Sequence, residues 1–206
     1  NGKKKSNPFE KFPVKLSVST YPAGGSYEPA RAVRESDYVK QGYTDSAAAA
    51  TALATGVKTV NGSIGIDSNG NRLENIIEKC EKMGMSTGVV TTVPFSHATP
   101  AAFVAHINAR DSYSDIANQM INESALEVIF GCGNPLYDND GKKILPGDMK
   151  YVGGIQIWNA LIDGKAGADA DGDGVPDKWT LIQSRQDFVG LANGYVPKRV
   201  IGICQT

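Results

Sequence analysis

The sequence predicts an α/β fold, a sheet with helices on its faces. Three observations carry that reading. Residues 86–93 and 126–130 are short apolar runs bounded by glycine or proline or by polar residues, as buried strands are. Residues 73–83 place Leu73, Ile76, Ile77, Cys80 and Met83 on one helical stripe. Helix-like and strand-like segments then alternate along the chain, the pattern of a sheet whose strands are joined by helices.

Residues 1–40 read as turn-rich and irregular, with Val14 to Ser19 alternating apolar and polar as a half-buried strand would. From Asp45 the run Asp-Ser-Ala-Ala-Ala-Ala-Thr-Ala-Leu-Ala-Thr-Gly predicts a helix over 46–55. Alanine is the best helix former, Asp45 or Ser46 is a good N-cap, and Gly56 is a natural C′ stop. Small residues on all its sides predict that this helix is buried. The amphipathic helix at 73–83 stops at Gly84, and the strand at 86–93 stops at Pro94. Helices are expected over 100–107, with His106 on it, and over 113–122, then a strand over 126–130. Near the end come a helix at 155–162 and a strand at 199–203. In such sheets, sites gather in loops at the C-terminal ends of strands, which marks residues 94–99 as a site wall.

Composition sets broad limits. The chain has 206 residues, 41% hydrophobic and 21% charged, with a net charge of -1. There is no basic excess to suggest nucleic acid as a specific partner. No apolar run approaches the roughly 18 residues of a membrane span. The cysteines Cys80, Cys132 and Cys204 match no zinc spacing, and their odd number forbids complete internal pairing.

Three constellations carry chemistry. Ser46 at the first turn of a helix lies where unpaired N–H groups and the positive dipole end attract an anion, although it could equally just cap the helix. His97-Ala98-Thr99 offers an imidazole and a hydroxyl to a metal, or caps the next helix ahead of Pro100. Arg110 offers a fork to two phosphate oxygens, or pairs with Asp111 at the surface.

Together these segments resemble one family. Thr44-Asp45-Ser46-Ala47-Ala48-Ala49-Ala50-Thr51-Ala52, then Ala54-Thr55-Gly56-Val57-Lys58-Thr59, is similar to the nucleophile segment of alkaline phosphatases. Asn61-Gly62, Gly65-Ile66-Asp67, His97-Ala98-Thr99-Pro100-Ala101-Ala102, Ala105-His106 and Arg110 follow in that family's order. The resemblance is strong over 40–125. It implies a three-layer α/β/α sandwich, with residues 1–206 as the N-terminal part of one catalytic domain. It implies phosphomonoester hydrolysis through a phosphoserine on Ser46, with two zinc ions and one magnesium ion as cofactors. Ser46 would meet a zinc, Arg110 would clamp phosphate, Asp45 would orient Arg110, and Thr99 and His97 would serve the magnesium or third site. A histidine at position 97, being softer than a carboxylate, implies a third site that prefers zinc or holds magnesium less tightly.

The family's later zinc histidines and its metal-bridging aspartate match nothing in this sequence. The chain is therefore expected to be a piece of a longer enzyme, inactive by itself, with the remaining part of that enzyme as its partner. The substrates implied are phosphate monoesters, with inorganic phosphate as product. The family setting is periplasmic or extracellular, and a homodimer is compatible with it.

Residues 164–180 read as a calcium-loop-like insertion. Asp169, Asp171, Asp173 and Asp177 fall at positions 1, 3, 5 and 9, glycine is at 6 and the Val175 carbonyl is at 7. Position 12 is Thr180, so the bidentate glutamate of an EF-hand is missing. Two rival functions remain. One is a phosphodiester or sulfate-ester hydrolase on the same scaffold, and the other is a non-catalytic calcium-binding fragment.

Overall fold

The computed structural model describes residues 7–16, 19–194 and 196–205. Four strands form one sheet in the order β1-β2-β4-β3, every neighbouring pair parallel. They are β1 (Gly88–Pro94), β2 (Val128–Cys132), β3 (Thr180–Ile182) and β4 (Val200–Ile203). Helices α1 (Pro29–Arg34), α2 (Ser46–Thr55) and α3 (Ile76–Lys82) precede β1. Then come α4 (Ala98–Ala101) and α5 (Tyr113–Asn118), which runs into a π-helical turn at Gln119–Glu123, with α6 (Ile155–Ile162) after β2 and α7 (Arg185–Asn193) after β3. The fold is the α/β class expected.

Register explains the layering. Val89, Ile129 and Ile201 lie side by side across β1, β2 and β4 and therefore face the same way. They enter the main core with Ile116 and Ala117 of α5 and Trp158 and Leu161 of α6. On the other face Phe130 pairs with Gly202. There the Phe188 ring of α7 sits so close that a Cβ on residue 202 would lie 2.5 Å from it. Helices thus cover both faces. All four residues of β4 are buried because β4 has a strand on each side.

Several sequence expectations need correction. Residues 14–16 form no strand, and Leu16 is 85% exposed; residues 17 and 18 lie outside the described residues. The alternation is there, but among the described residues no neighbouring strand pairs with residues 14–16. The region before residue 40 is not wholly irregular, since Pro29 starts α1 at its N1 position. Helix α2 has the expected ends, but only one side is buried, and Leu53 is 77% exposed. Helix α3 starts later than expected because Asn75 and Glu78 form a capping box, and Ile76 and Met83 of its apolar stripe remain exposed. Strand β1 lies at the sheet edge, with Val89 its only fully buried residue and Val90 exposed. Helix α4 is four residues long and begins ahead of Pro100. His106 is therefore on no helix: Ile107 leaves to exchange two 2.8 Å backbone bonds with Ile64. Strand β2 begins at Val128, two residues late. Elements β3 and α7 were not foreseen.

One buried cation organises the far side of the sheet. Arg199 is 1% exposed. It donates to the carbonyls of Leu126 at 2.7 Å, Ser124 at 2.8 Å, Asp177 at 3.0 Å and Ala168 at 3.2 Å, and lies over the Trp179 ring. Burial pushes its pKa down to about 10, so it stays charged at neutral pH. Replacing it by leucine strands four carbonyls. Arg199→Leu is expected to lower unfolding free energy in urea by about 3–5 kcal/mol. A loss below about 0.5 kcal/mol would show that Arg199 is incidental.

Candidate active site

The site is built around the first turn of α2. Asp45 has the extended backbone of an N-cap, and its Oδ1 accepts from Ala48 N at 2.8 Å. With the cap supplied by Asp45, the half-buried Ser46 hydroxyl at N1 has no capping duty. The second Asp45 oxygen accepts from Gly62 N at 2.9 Å and from Arg110 Nη1 at 3.0 Å. Arg110 N in turn donates to Gly62 O at 2.8 Å. Asn61 closes the ring: its Oδ1 accepts from Asp45 N at 3.0 Å and its Nδ2 donates to Tyr43 O at 2.8 Å. Arg110 pairs with Asp45 and not with Asp111, which accepts from the Tyr113 hydroxyl at 3.1 Å. A guanidinium has five donors, so Arg110 keeps others for the oxygens of an anion.

His97 stands at the N-cap position of α4, where the chain turns after a register shift that ends β1. Its ring stacks on Tyr113 at 6.0 Å. Tyr113 meets the Tyr151 ring edge-on at 4.9 Å, with Lys150 Nζ 4.5 Å from its own centre. Burial holds the His97 pKa below its usual 6.5, the Arg110 charge pushes the same way, and Asp111 opposes them. The ring is therefore neutral at pH 7, the form that ligates metals. Thr99 is exposed and lines a groove of about 310 Å³ with Val90, Thr91 and Phe103.

In the acidic loop, ligand oxygens of Asp169, Asp171 and Asp177 lie within 4.8 Å of one another. Asp173 is outside that group of side chains. Asp173 accepts from Val175 N at 2.8 Å, and Asp169 accepts from Gly172 N, Asp173 N and Gly174 N. Lys198 Nζ donates to Asp171 at 2.6 Å and Asp177 at 2.7 Å, so one ammonium already pairs with two of these carboxylates. Sequence reading missed Lys198, because nothing local joins residues so far apart. It also missed Tyr113 and Lys150 around His97. Asn61 was visible only as part of the family resemblance.

His106 lies elsewhere. Its Nε2 is 2.8 Å from Leu73 O; a carbonyl only accepts, so that nitrogen carries the proton. Its backbone N donates to Gln119 Oε1 at 2.7 Å. These contacts are structural.

Comparison with known proteins gives the context of this site. The family model for alkaline phosphatase matches residues 2–189. Alkaline phosphatase 4 of Bacillus subtilis is 42% identical over 115 residues, 53% of this chain and 25% of the relative. The repressible alkaline phosphatase of Saccharomyces cerevisiae is 30% identical over 156 residues, 74% of this chain and 26% of the relative. Among solved structures, a cold-active alkaline phosphatase from Shewanella sp. superposes with a TM-score of 0.59 at 32% identity, over 91% of this chain and 35% of that one. That of the Antarctic bacterium TAB5 gives a TM-score of 0.53 at 27% identity, over 79% of this chain and 40% of that one. The chain thus spans about a quarter of the length of these curated relatives.

Two outcomes follow from the geometry. Asp45→Ala removes an N-cap and the partner of Arg110, and is expected to cost about 2–4 kcal/mol in urea unfolding. Asp45→Asn, which can still cap, should cost less; equal losses would mean that the cap and the charge are not what Asp45 provides. For His106, burial is the chief cause of a pKa below 6.5, with Arg72 adding and the Leu73 bond and Glu78 opposing. A depressed histidine pKa means the unfolded chain binds the proton first. Stability should therefore fall as pH drops from about 6.5 toward the folded value. In His106→Gln, part of that slope should vanish; an unchanged slope would place the acid sensitivity elsewhere.

Proposed function

The chain belongs to the alkaline phosphatase family, and from that premise we propose that it carries the nucleophile and phosphate clamp of a phosphomonoester hydrolase. The observation that supports the proposal is the Asp45 carboxylate, which, one residue before Ser46, caps α2 and pairs with Arg110. Ser46 Oγ would attack phosphorus, with its proton leaving to solvent, and the bond to the ester oxygen would break, giving a phosphoserine and an alcohol. Water would then attack the phosphoserine, releasing inorganic phosphate and restoring the hydroxyl. Arg110 would bind two non-bridging oxygens in both steps, and the Ser46 and Ala47 N–H groups, which the Asp45 cap does not use, would face the same anion.

The residues present fit metal ions in part. His97 is neutral and offers a nitrogen, and Ser46 and Thr99 offer oxygens, a donor set suited to zinc and magnesium. Among the described residues, the one group of three metal-binding side chains is in the acidic loop and not at Ser46. We therefore read Ser46 as a contributor to a zinc site, and His97 and Thr99 as contributors to a magnesium or third site. Bound there, two zinc ions and a magnesium ion would supply Lewis-acid stabilisation of the alkoxide and the leaving oxygen. His-to-Asp and His-to-Glu variants of the TAB5 enzyme are described with Mg bound in the M3 site. In the acidic loop calcium is a proposal with a condition: it must displace the Lys198 ammonium. A periplasmic or extracellular location, the remaining part of a longer enzyme and a homodimer belong to the same proposal. No helix among the described residues is long and apolar enough to cross a membrane.

The test uses the protein that carries this chain, supplied with zinc and magnesium and assayed on p-nitrophenyl phosphate, its bis-ester and the matching sulfate. The monoester should be preferred, and brief acid quenching should trap phosphate on Ser46. Ser46→Ala should lower kcat by at least about 1,000-fold. Full activity in Ser46→Ala, or preference for the diester or sulfate, would overturn the proposal.

A further inference from the structure

Two of the three cysteines meet at the C-terminal edge of the sheet. The β2–β4 register runs from Val128 opposite Val200 to Gly131 opposite Ile203. The ladder continues one step further, since Cys204 N donates to Gly131 O at 3.2 Å. In a parallel ladder that bond sets Cys204 directly opposite Cys132, with both side chains on one face. Neighbouring strands lie about 4.7–4.9 Å apart, inside the roughly 4.4–6.8 Å between Cα atoms that a disulfide spans. The third cysteine, Cys80, is on α3.

Three further features bear on the pair. Burial raises the Cys132 thiol pKa, and the nearby Cys204 raises it further, as two thiolates crowding one another would. Both residues line a cavity of about 210 Å³ with Pro94, Asn134, Tyr137 and Tyr151, so a small molecule can reach them. The strand ends are held in place: Asn134 Nδ2 donates to Ile203 O at 3.2 Å and to Gln183 Oε1 at 2.8 Å.

We propose that Cys132 and Cys204 form an oxidisable dithiol, which a low-molecular-weight disulfide converts to a cross-link between β2 and β4. The exchange balances. One cysteine thiolate attacks a sulfur of the small disulfide; that S–S bond breaks, a mixed disulfide forms and one thiolate departs. The second cysteine thiolate attacks the mixed disulfide at the protein sulfur, the Cys132–Cys204 bond forms and the second small thiolate departs. The two cysteines give up two electrons, the reagent gains them, and the two protons end on the released thiols. The cross-link fastens the chain after β4 to the sheet edge that carries the turn into His97. This inference stands independently of the phosphatase reading.

The full chain is treated with glutathione disulfide, alkylated with iodoacetamide and mapped by peptide mass spectrometry. The expected result is loss of two of the three alkylatable thiols. Cys80 should carry the label, and one peptide pair should join Cys132 to Cys204, two hydrogens lighter than the reduced pair. Dithiothreitol should restore all three labels. In Cys204→Ser the reaction should stop at a stable glutathione adduct on Cys132, with Cys132→Ser giving the converse. Glutathione on both residues without a cross-link, full alkylation of Cys132 and Cys204, or a link through Cys80 would each overturn the proposal. The experiment on the unsubstituted chain decides the matter even where a serine variant fails to fold.

Discussion

The Asp45 carboxylate accepts N–H donors from three separate segments: Ala48 inside α2, Gly62 in the turn that follows it, and Arg110 from beyond α4. Without it the α2 terminus loses its cap, the 61–62 turn loses an anchor, and a half-buried guanidinium loses its countercharge. The three bonds are mutually supporting, because Arg110 N also holds Gly62 O and Asn61 holds Asp45 N. This ring fixes where Ser46 stands. It also leaves the Ser46 hydroxyl outside the cap, available for chemistry. Other contacts on this side then have a fixed frame, including the packing of α2 against α4 and the pairing of Ile64 with Ile107. Gly65 in that stretch has a positive φ, and a Cβ there would lie 2.2 Å from Ala105 O, so the close approach admits only glycine.

Arg199 plays the corresponding part on the other side. Its four carbonyl acceptors lie at the residue that ends the π-helical turn, the entry to β2 and both ends of the acidic loop. The loop closes at Gly167, where a Cβ would lie 2.1 Å from Asp177 O. Lys198, the preceding residue, binds the same loop from outside through Asp171 and Asp177. One dipeptide at the start of β4 therefore holds the loop by carbonyls and by carboxylates at once. A loop held in this way keeps its shape without relying on the missing position-12 glutamate.

The legible parts of the sequence were those whose signals are local. Asp45 and Gly56 bracket α2 with cap chemistry, and the strand at 200–203 and the helix at 155–162 declare themselves by short apolar runs. The illegible parts depend on distant partners. Val14 to Leu16 alternates like a strand but lacks a neighbour to pair with. Thr180–Ile182 is a strand because β4 lies beside it, three residues being too few to show a period. Helix α4 stops early because Ile64 captures Ile107, 43 positions away. At the site, Ser46, Asp45, Arg110 and His97 could be picked out through their resemblance to a family. Tyr113 and Lys150 could not, since stacking and cation–π contacts leave no spacing signature.

On the proposed function, charge bookkeeping over the Asp45 ring and the His97 loop explains why these residues would call for added cations. Arg110 and Lys150 contribute two positive charges; Asp45 and Asp111 cancel them; His97, held neutral by burial, adds none. The remaining positive field is that of the α2 first turn, equivalent to about half a charge. A phosphate monoester dianion brings about two negative charges near neutral pH. Hydrogen bonds from Arg110 and the turn can orient such an anion, but they leave most of its charge uncompensated in a half-buried setting, where that is costly. His97, held neutral, brings no charge of its own, and neutrality leaves its ring able to ligate a metal. On the proposed function, the same burial that denies the site a proton would suit it to a metal, which would supply compensating charge without drawing on the acidity of the solvent.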